Sequence, residues 1–245
     1  MSALAALAAV EARLLVRDWT VVVFAFVFPP LVMVILAGVF GSQPDETYGM
    51  QRPDEYYVAA YLGVPVIALA LVGLPVALAS YRERNVLRRF EASGVSTAKL
   101  LAAQAAVTCA LVILGAAVVL AVGSVTYGIP DVTHPWRTLL GFTAGTLTLV
   151  LLGLAIGLAM PTARAAQAAG LLAFFPLWML GGGGPPQKVM TGPMQAVANA
   201  LPPAVPAIRD PWLGVSGLGS HLIVLGAWAI VALVATAWLA RRSQA

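Results

Sequence analysis

Residues 81–96 read "YRERNVLRRFEASGVS", with four arginines and two glutamates between Tyr81 and Glu91. On a short helix, Leu87 and Phe90 fall three apart with Val86 beside them, while Arg84, Arg88 and Glu91 share another strip. Arginines at this spacing can pair with a partner's carboxylates, and an apolar pair framed by them suits docking into a groove on another protein. Loop charge that only sets membrane orientation explains the arginines but gives the apolar pair no role. Gly94 predicts a break in left-handed geometry, and Ser96 or Thr97 predicts a cap for a helix starting near Lys99.

The rest of the chain is the opposite in character. Of 245 residues 60% are hydrophobic and 10% charged, against about 25% charged in ordinary globular chains. That composition cannot cover a soluble surface and predicts an all-α, polytopic membrane protein. Apolar runs of spanning length fall at about 19–41, 57–80, 101–127, 137–160, 165–183 and 219–240. Ahead of them Leu4, Leu7, Val10, Leu14 and Leu15 recur at helical spacing opposite Glu11, Arg13 and Arg17, predicting an interfacial amphipathic helix. Asp18 suits the cap of the next helix and Trp19 the membrane boundary. The whole chain reads as one transmembrane domain.

With a cytoplasmic N-terminus, Arg13, Arg17, Arg82, Arg84, Arg88, Arg89, Lys99, Arg164, Arg241 and Arg242 fall inside, and Arg52, Arg137, Lys188 and Arg209 outside. This asymmetry favours both termini inside and makes 81–98 the one substantial cytoplasmic loop. The formal charge of +4 is loop charge spread between apolar runs, so no nucleic-acid partner is expected. Cys109 is the single cysteine, which excludes an internal disulfide or a cysteine-based zinc site.

"RERNVLRRFEASGVS" resembles the loop between spans two and three of type 2 ABC exporter permeases, in the drug- and antibiotic-exporter branch. Gly94 stands where many relatives have proline, which keeps a helix-breaking residue. The resemblance extends over nearly the whole chain: surface helix, six spans, charged loop after span two, long outer segment before span six. It implies a coupling helix docking on a separate cytoplasmic ATPase, with Arg84, Leu87, Arg88, Arg89, Phe90, Glu91, Gly94 and Val95 as contact residues. It further implies two ATPase copies, which bind the ATP and Mg, and a second permease copy or a paralogue, all working within membrane lipid. The chain carries no Walker pattern of its own, since in "GGGGPPQK" at 181–188 Pro186 and Gln187 precede Lys188. No ATP hydrolysis, catalytic residue or metal site is expected in it.

The segment 181–218 is too broken by Gly and Pro to span and too apolar for an ordinary loop. Met190, Met194, Val197 and Leu201, spaced four, three and four, predict a short amphipathic helix capped by Thr191 and stopped by Pro202. By the resemblance it would dip into the outer leaflet and gate the exit. Pro29, Pro30, Pro65, Pro75 and Pro176 lie within spans and predict kinks. Gly153 and Gly157 form a G-x-x-x-G expected to pack helices within one subunit. Phe174, Phe175 and Trp178 are candidates for lining an apolar substrate's path, lipid contact being the other reading. Trp212 and Trp238 read as boundary anchors, and His221 as a lone histidine.

No ionisable residue falls in mid-span, which disfavours an ion-coupled carrier or an intramembrane enzyme. The expected cargo is an apolar or amphipathic small molecule, a drug or antibiotic, exported across the cell membrane of a bacterium. Lipid or glycan cargo is the alternative, and an ATP-independent secondary carrier a more distant one.

Overall fold

The computed structural model describes residues 19–84, 96–215 and 217–242. The expected surface helix at 2–17 lies outside the described residues. So do Leu87, Arg88, Arg89, Phe90, Glu91, Gly94 and Val95 of the charged loop.

The described residues form an all-α bundle with no strand beyond one isolated bridge, Asp45 to Gln51. In chain order the helices are α1 (Trp19–Phe40), α2 (Pro53–Glu83), α3 (Thr97–Thr126), α4 (Pro135–Ala159), α5 (Ala163–Gly183), the short α6 (Gly192–Ala200) and α7 (Ala204–Trp212), and α8 (Leu218–Arg242). Six of them, all but α6 and α7, are long and apolar enough to cross a membrane. Helix α3, at 30 residues, is about 45 Å long. The connections at 41–52, 127–134 and 184–215 gather at one end, where Lys188 Nζ donates to Glu46 O at 3.3 Å and the Thr133 N–H to Trp212 O at 2.9 Å. This is the long-loop end. The 160–162 turn and the last residues of α2 meet at the opposite, short-turn end.

Burial follows from pattern. Helix α2 is apolar on every side, so it occupies the centre, with 89% of its most apolar window buried, whereas α8 buries only 17%. In α1, Val21, Ala25, Pro29, Met33 and Ala37 recur every fourth residue and are buried, while Val27, Leu31, Ile35 and Val39 recur between them and are exposed. The outward side chains of α8, among them Ile223, Ile230, Val231 and Val234, are apolar and exposed, the surface a lipid-facing helix presents.

The prolines do more than bend helices. A π-turn, Val23–Val27, precedes Pro29 and Pro30, another, Leu69–Gly73, precedes Pro75, and a third, Met179–Gly183, follows Pro176. Proline lacks an N–H and its ring crowds the carbonyl four residues back, so Leu71 O loses its partner to Pro75 and Ala207 O to Pro211. Because the Leu74 N–H bonds Leu69 O, Ala70 O is freed as well. Each freed oxygen faces a glycine of a neighbouring helix: a Cβ on Gly153 would overlap Ala70 O, one on Gly170 would overlap Leu71 O, and one on Gly141 would overlap Ala207 O. A Cα–H there supplies a weak hydrogen bond to an oxygen that the hydrocarbon would leave unpaired. The expected G-x-x-x-G contact is thus made inside the subunit, with Gly157 against Leu78 and Pro75.

Candidate functional site

The long-loop end is organised by α7. Pro202 and Pro203 precede this helix and Pro211 lies in its last turn. Ala204, Val205, Ala207 and Ile208 are all buried, with Ala204 against Gly145 and Ala207 against Gly141 of α4. Arg209 and Asp210 are thereby carried into the protein, with side chains only 14% and 11% exposed. Arg209 Nε and Nη2 donate to Asp210 Oδ1 at 2.8 and 2.6 Å, and Nη1 donates to the Tyr56 hydroxyl of α2, whose ring lies 4.4 Å below the guanidinium. His221 Nε2 of α8 lies 2.8 Å from Asp210 Oδ2. Burial alone would raise the Asp210 carboxyl; the Arg209 charge and the hydrogen bonds from His221 and Arg209 outweigh it and hold it below the usual carboxylate range.

This network revises three expectations. His221 is paired rather than alone. Trp212 is not a boundary anchor: it is buried, and its Nε1 donates to Pro130 O at 3.1 Å, because the helix of which it is the last residue packs into the bundle. Arg209 is an interior residue rather than simple outer-loop charge. The sequence held a signal in the adjacent Arg–Asp pair, which is net neutral and flanked by small apolar residues and prolines, a pattern that suits burial. Trp238, in contrast, is half exposed at the far end of α8 and stacks with Arg242 at 3.7 Å.

Two cavities flank the pair. One of about 250 Å³ is lined by Gln187, Asn199, Arg209, Asp210, Ser220 and His221 among others, and one of about 280 Å³ by Tyr48, Tyr56, Gln187, Lys188, Arg209 and Asp210 among others. Neither is bordered by Phe174, Phe175 or Trp178. Those three are divided: Phe174 is fully buried against Phe24 and Phe28 of α1, Phe175 is 47% exposed, and Trp178 packs on Phe28 and donates from Nε1 to the Tyr61 hydroxyl at 3.2 Å. They join α5 to α1 and α2.

The four residues expected on one face of the outer helix also separate. Helix α6 forms, but Thr191 makes no side-chain cap; Gly192 and Pro193 open the helix, and it ends at Ala200 with Leu201 extended ahead of Pro202. Met190 is buried and Leu201 half-buried, whereas Met194 and Val197 are exposed and Ala198 is the inward residue. Trp228 of α8, donating to Ala200 O at 2.9 Å, holds the end of α6. At the short-turn end, Arg84 is exposed where α2 stops, and Ser96 stands at the N-terminal boundary of α3, which begins at Thr97. Among the described residues no group of His, Cys, Asp or Glu is placed to hold a metal ion.

The sequence model of the family described as ABC-2 type transporter matches residues 2–206. The chain belongs to the ABC-2 type transporter family. No curated protein matches it. Members of the ABC-2 family are permease subunits without ATPase motifs, working with an ATPase partner and usually as dimers. With its six apolar helices, this ABC-2 protein is a multi-pass membrane permease. The matched span runs from before α1 into α7, so the charged loop and α6 lie inside it, while Arg209, Asp210 and His221 lie just beyond.

Proposed function

We propose that this chain is the permease half of an ABC exporter that moves an apolar or amphipathic small molecule, a drug or antibiotic, out of the cytoplasm or inner leaflet of a bacterial cell. A separate ATPase, in two copies that bind ATP and Mg, docks on the 81–98 loop of each of two permeases, with both termini on the cytoplasmic side. The observation that carries this reading is the ABC-2 match across the segment that holds that loop. The composition of the loop supports it, with Leu87 and Phe90 as apolar anchors among Arg84, Arg88, Arg89 and Glu91. The long-loop end then faces outward, with α6 at the exit and its exposed Met194 and Val197 free to meet cargo or lipid.

Purification from native membrane in mild detergent, followed by mass spectrometry, tests the reading. A stoichiometric ATPase with a Walker motif is expected, and it should be lost from the Leu87→Asp/Phe90→Asp double variant while membrane insertion stays intact. Recovery of the wild-type chain alone would refute the docking role. For the exit, Met194→Ser/Val197→Ser spares the buried Met190 and Ala198, and should change efflux of a fluorescent amphipathic dye by about fivefold or more. ATPase capture by that variant should be unchanged, and loss of capture would make α6 a structural element instead of a gate.

A further inference from the structure

Arg82 and Glu83 lie at the end of α2, just before the 85–95 segment, and both reach across to α4 and α5. Arg82 Nη1 donates to the carbonyl of Leu158 and, at 3.2 Å, to that of Met160. Glu83 Oε2 accepts from the Ala163 N–H at 3.0 Å. Those carbonyls are at the C-terminal end of α4, and that amide is the first of α5. A helix leaves its last carbonyls and first amides without internal partners, and its dipole favours a cation at the former and a carboxylate at the latter. Only Met160, Pro161 and Thr162 separate the two helices, and Thr162 Oγ1 caps Ala165 N–H, which leaves Ala163 N–H for Glu83. Two adjacent side chains therefore fasten both ends of one tight turn.

The contact continues along α2. Gly157 rests on Leu78 and Pro75, Gly153 on Ala70, and Gly170 of α5 on Leu71. At the other end α4 carries α7 on Gly141 and Gly145, and α5 runs into the Gly181–Gly184 stretch that leads to α6.

We propose that Arg82 and Glu83 are a clamp that makes α2, α4 and α5 move as one body, so that displacement of the charged loop by the ATPase reaches α6 and α7 through the α4–α5 turn. The proposal rests on the exporter reading. Both are positioning residues: they precede Arg84, the first residue assigned to ATPase contact, are turned to the α4–α5 turn, and carry movement between ATPase and cargo. A helix cap that merely stabilised the fold would act on stability and yield alone; a clamp also acts on the coupling between the two ends.

The test uses the complex of this chain with its captured ATPase in lipid vesicles. In a Cys109→Ser background, Ala196→Cys on the exposed side of α6 is labelled with a membrane-impermeant maleimide, with and without ATP and vanadate. With Arg82 and Glu83 intact, nucleotide trapping should change the labelling rate about fivefold or more. In Arg82→Ala and in the milder Glu83→Gln the change should vanish while the ATPase remains bound, and Arg82→Lys should restore part of it. A nucleotide effect that survives in both variants overturns the clamp, as does its absence with the clamp intact. Loss of the ATPase from either variant also overturns it, since the residues would then belong to the docking surface. A wild-type chain that captures no ATPase brings down the exporter reading itself, and is seen before any labelling is done.

Discussion

Gly153→Ala should lower the melting temperature in mild detergent by about 10 °C, while Gly157→Ala, one turn further along the same face, should cost about a third of that. The two changes add the same methyl group to the same helix and differ only in what it meets. At Gly153 it overlaps the Ala70 carbonyl oxygen outright, on backbone of the central helix; at Gly157 its nearest neighbours, Leu78 Cβ at 3.0 Å and Pro75 Cα at 3.1 Å, need give way by only a few tenths of an ångström. A full overlap of this kind costs about 3 kcal/mol, and a tight contact relieved by a small shift about 1 kcal/mol. The change also shields an oxygen already deprived of its helical donor. Gly141→Ala, against Ala207 O, should behave like Gly153→Ala, and Gly145→Ala, 3.2 Å from Ala204 Cβ, like Gly157→Ala. The check is a thermal melt followed by a thiol-reactive dye on the partly buried Cys109. Equal losses at Gly153 and Gly157 would remove the carbonyl argument.

Asp210→Ala is expected to destabilise the protein by about 3 to 5 kcal/mol, because it leaves the Arg209 guanidinium inside the fold without its carboxylate. The paired change Arg209→Met/Asp210→Leu should cost much less than the single one, since an apolar pair of similar size removes both charges together. A double variant as unstable as Asp210→Ala would mean that the network holds α7 through Tyr56 and His221 more than through the ion pair. The pH dependence has a definite sign. The folded carboxyl titrates below its ordinary 3.8, so its contribution is present in full above that value and is lost as pH falls through the lowered one. The stability gap between wild type and Asp210→Asn should therefore close as pH falls below about 4, read as melting temperature across an acid series.

Much of the architecture was legible because the membrane imposes one strong rule. A chain that must pair every backbone group internally while facing hydrocarbon has to run as long apolar helices. The lengths and polar boundaries of those runs are visible residue by residue, as α1 shows with its four-residue alternation of buried and exposed positions. The loop between α2 and α3 was equally legible as composition, because Leu87 and Phe90 among arginines are a local pattern.

The functional details at the long-loop end were not legible, for a different reason. Whether Arg209 is a solvated loop charge or an interior hub depends on whether Ala204–Trp212 is drawn into the bundle, and that is decided by Gly141 and Gly145, more than sixty residues earlier. His221 looked solitary because Asp210 reaches it only once α7 and α8 are packed together. The prolines and glycines were all in plain view as breakers and small residues. By itself the sequence determined that this protein is a helical membrane bundle with a basic loop after its second span. Only the tertiary structure decided which glycine receives which proline-freed carbonyl and which charges meet out of water, because those pairings are contacts between distant segments with no local signature.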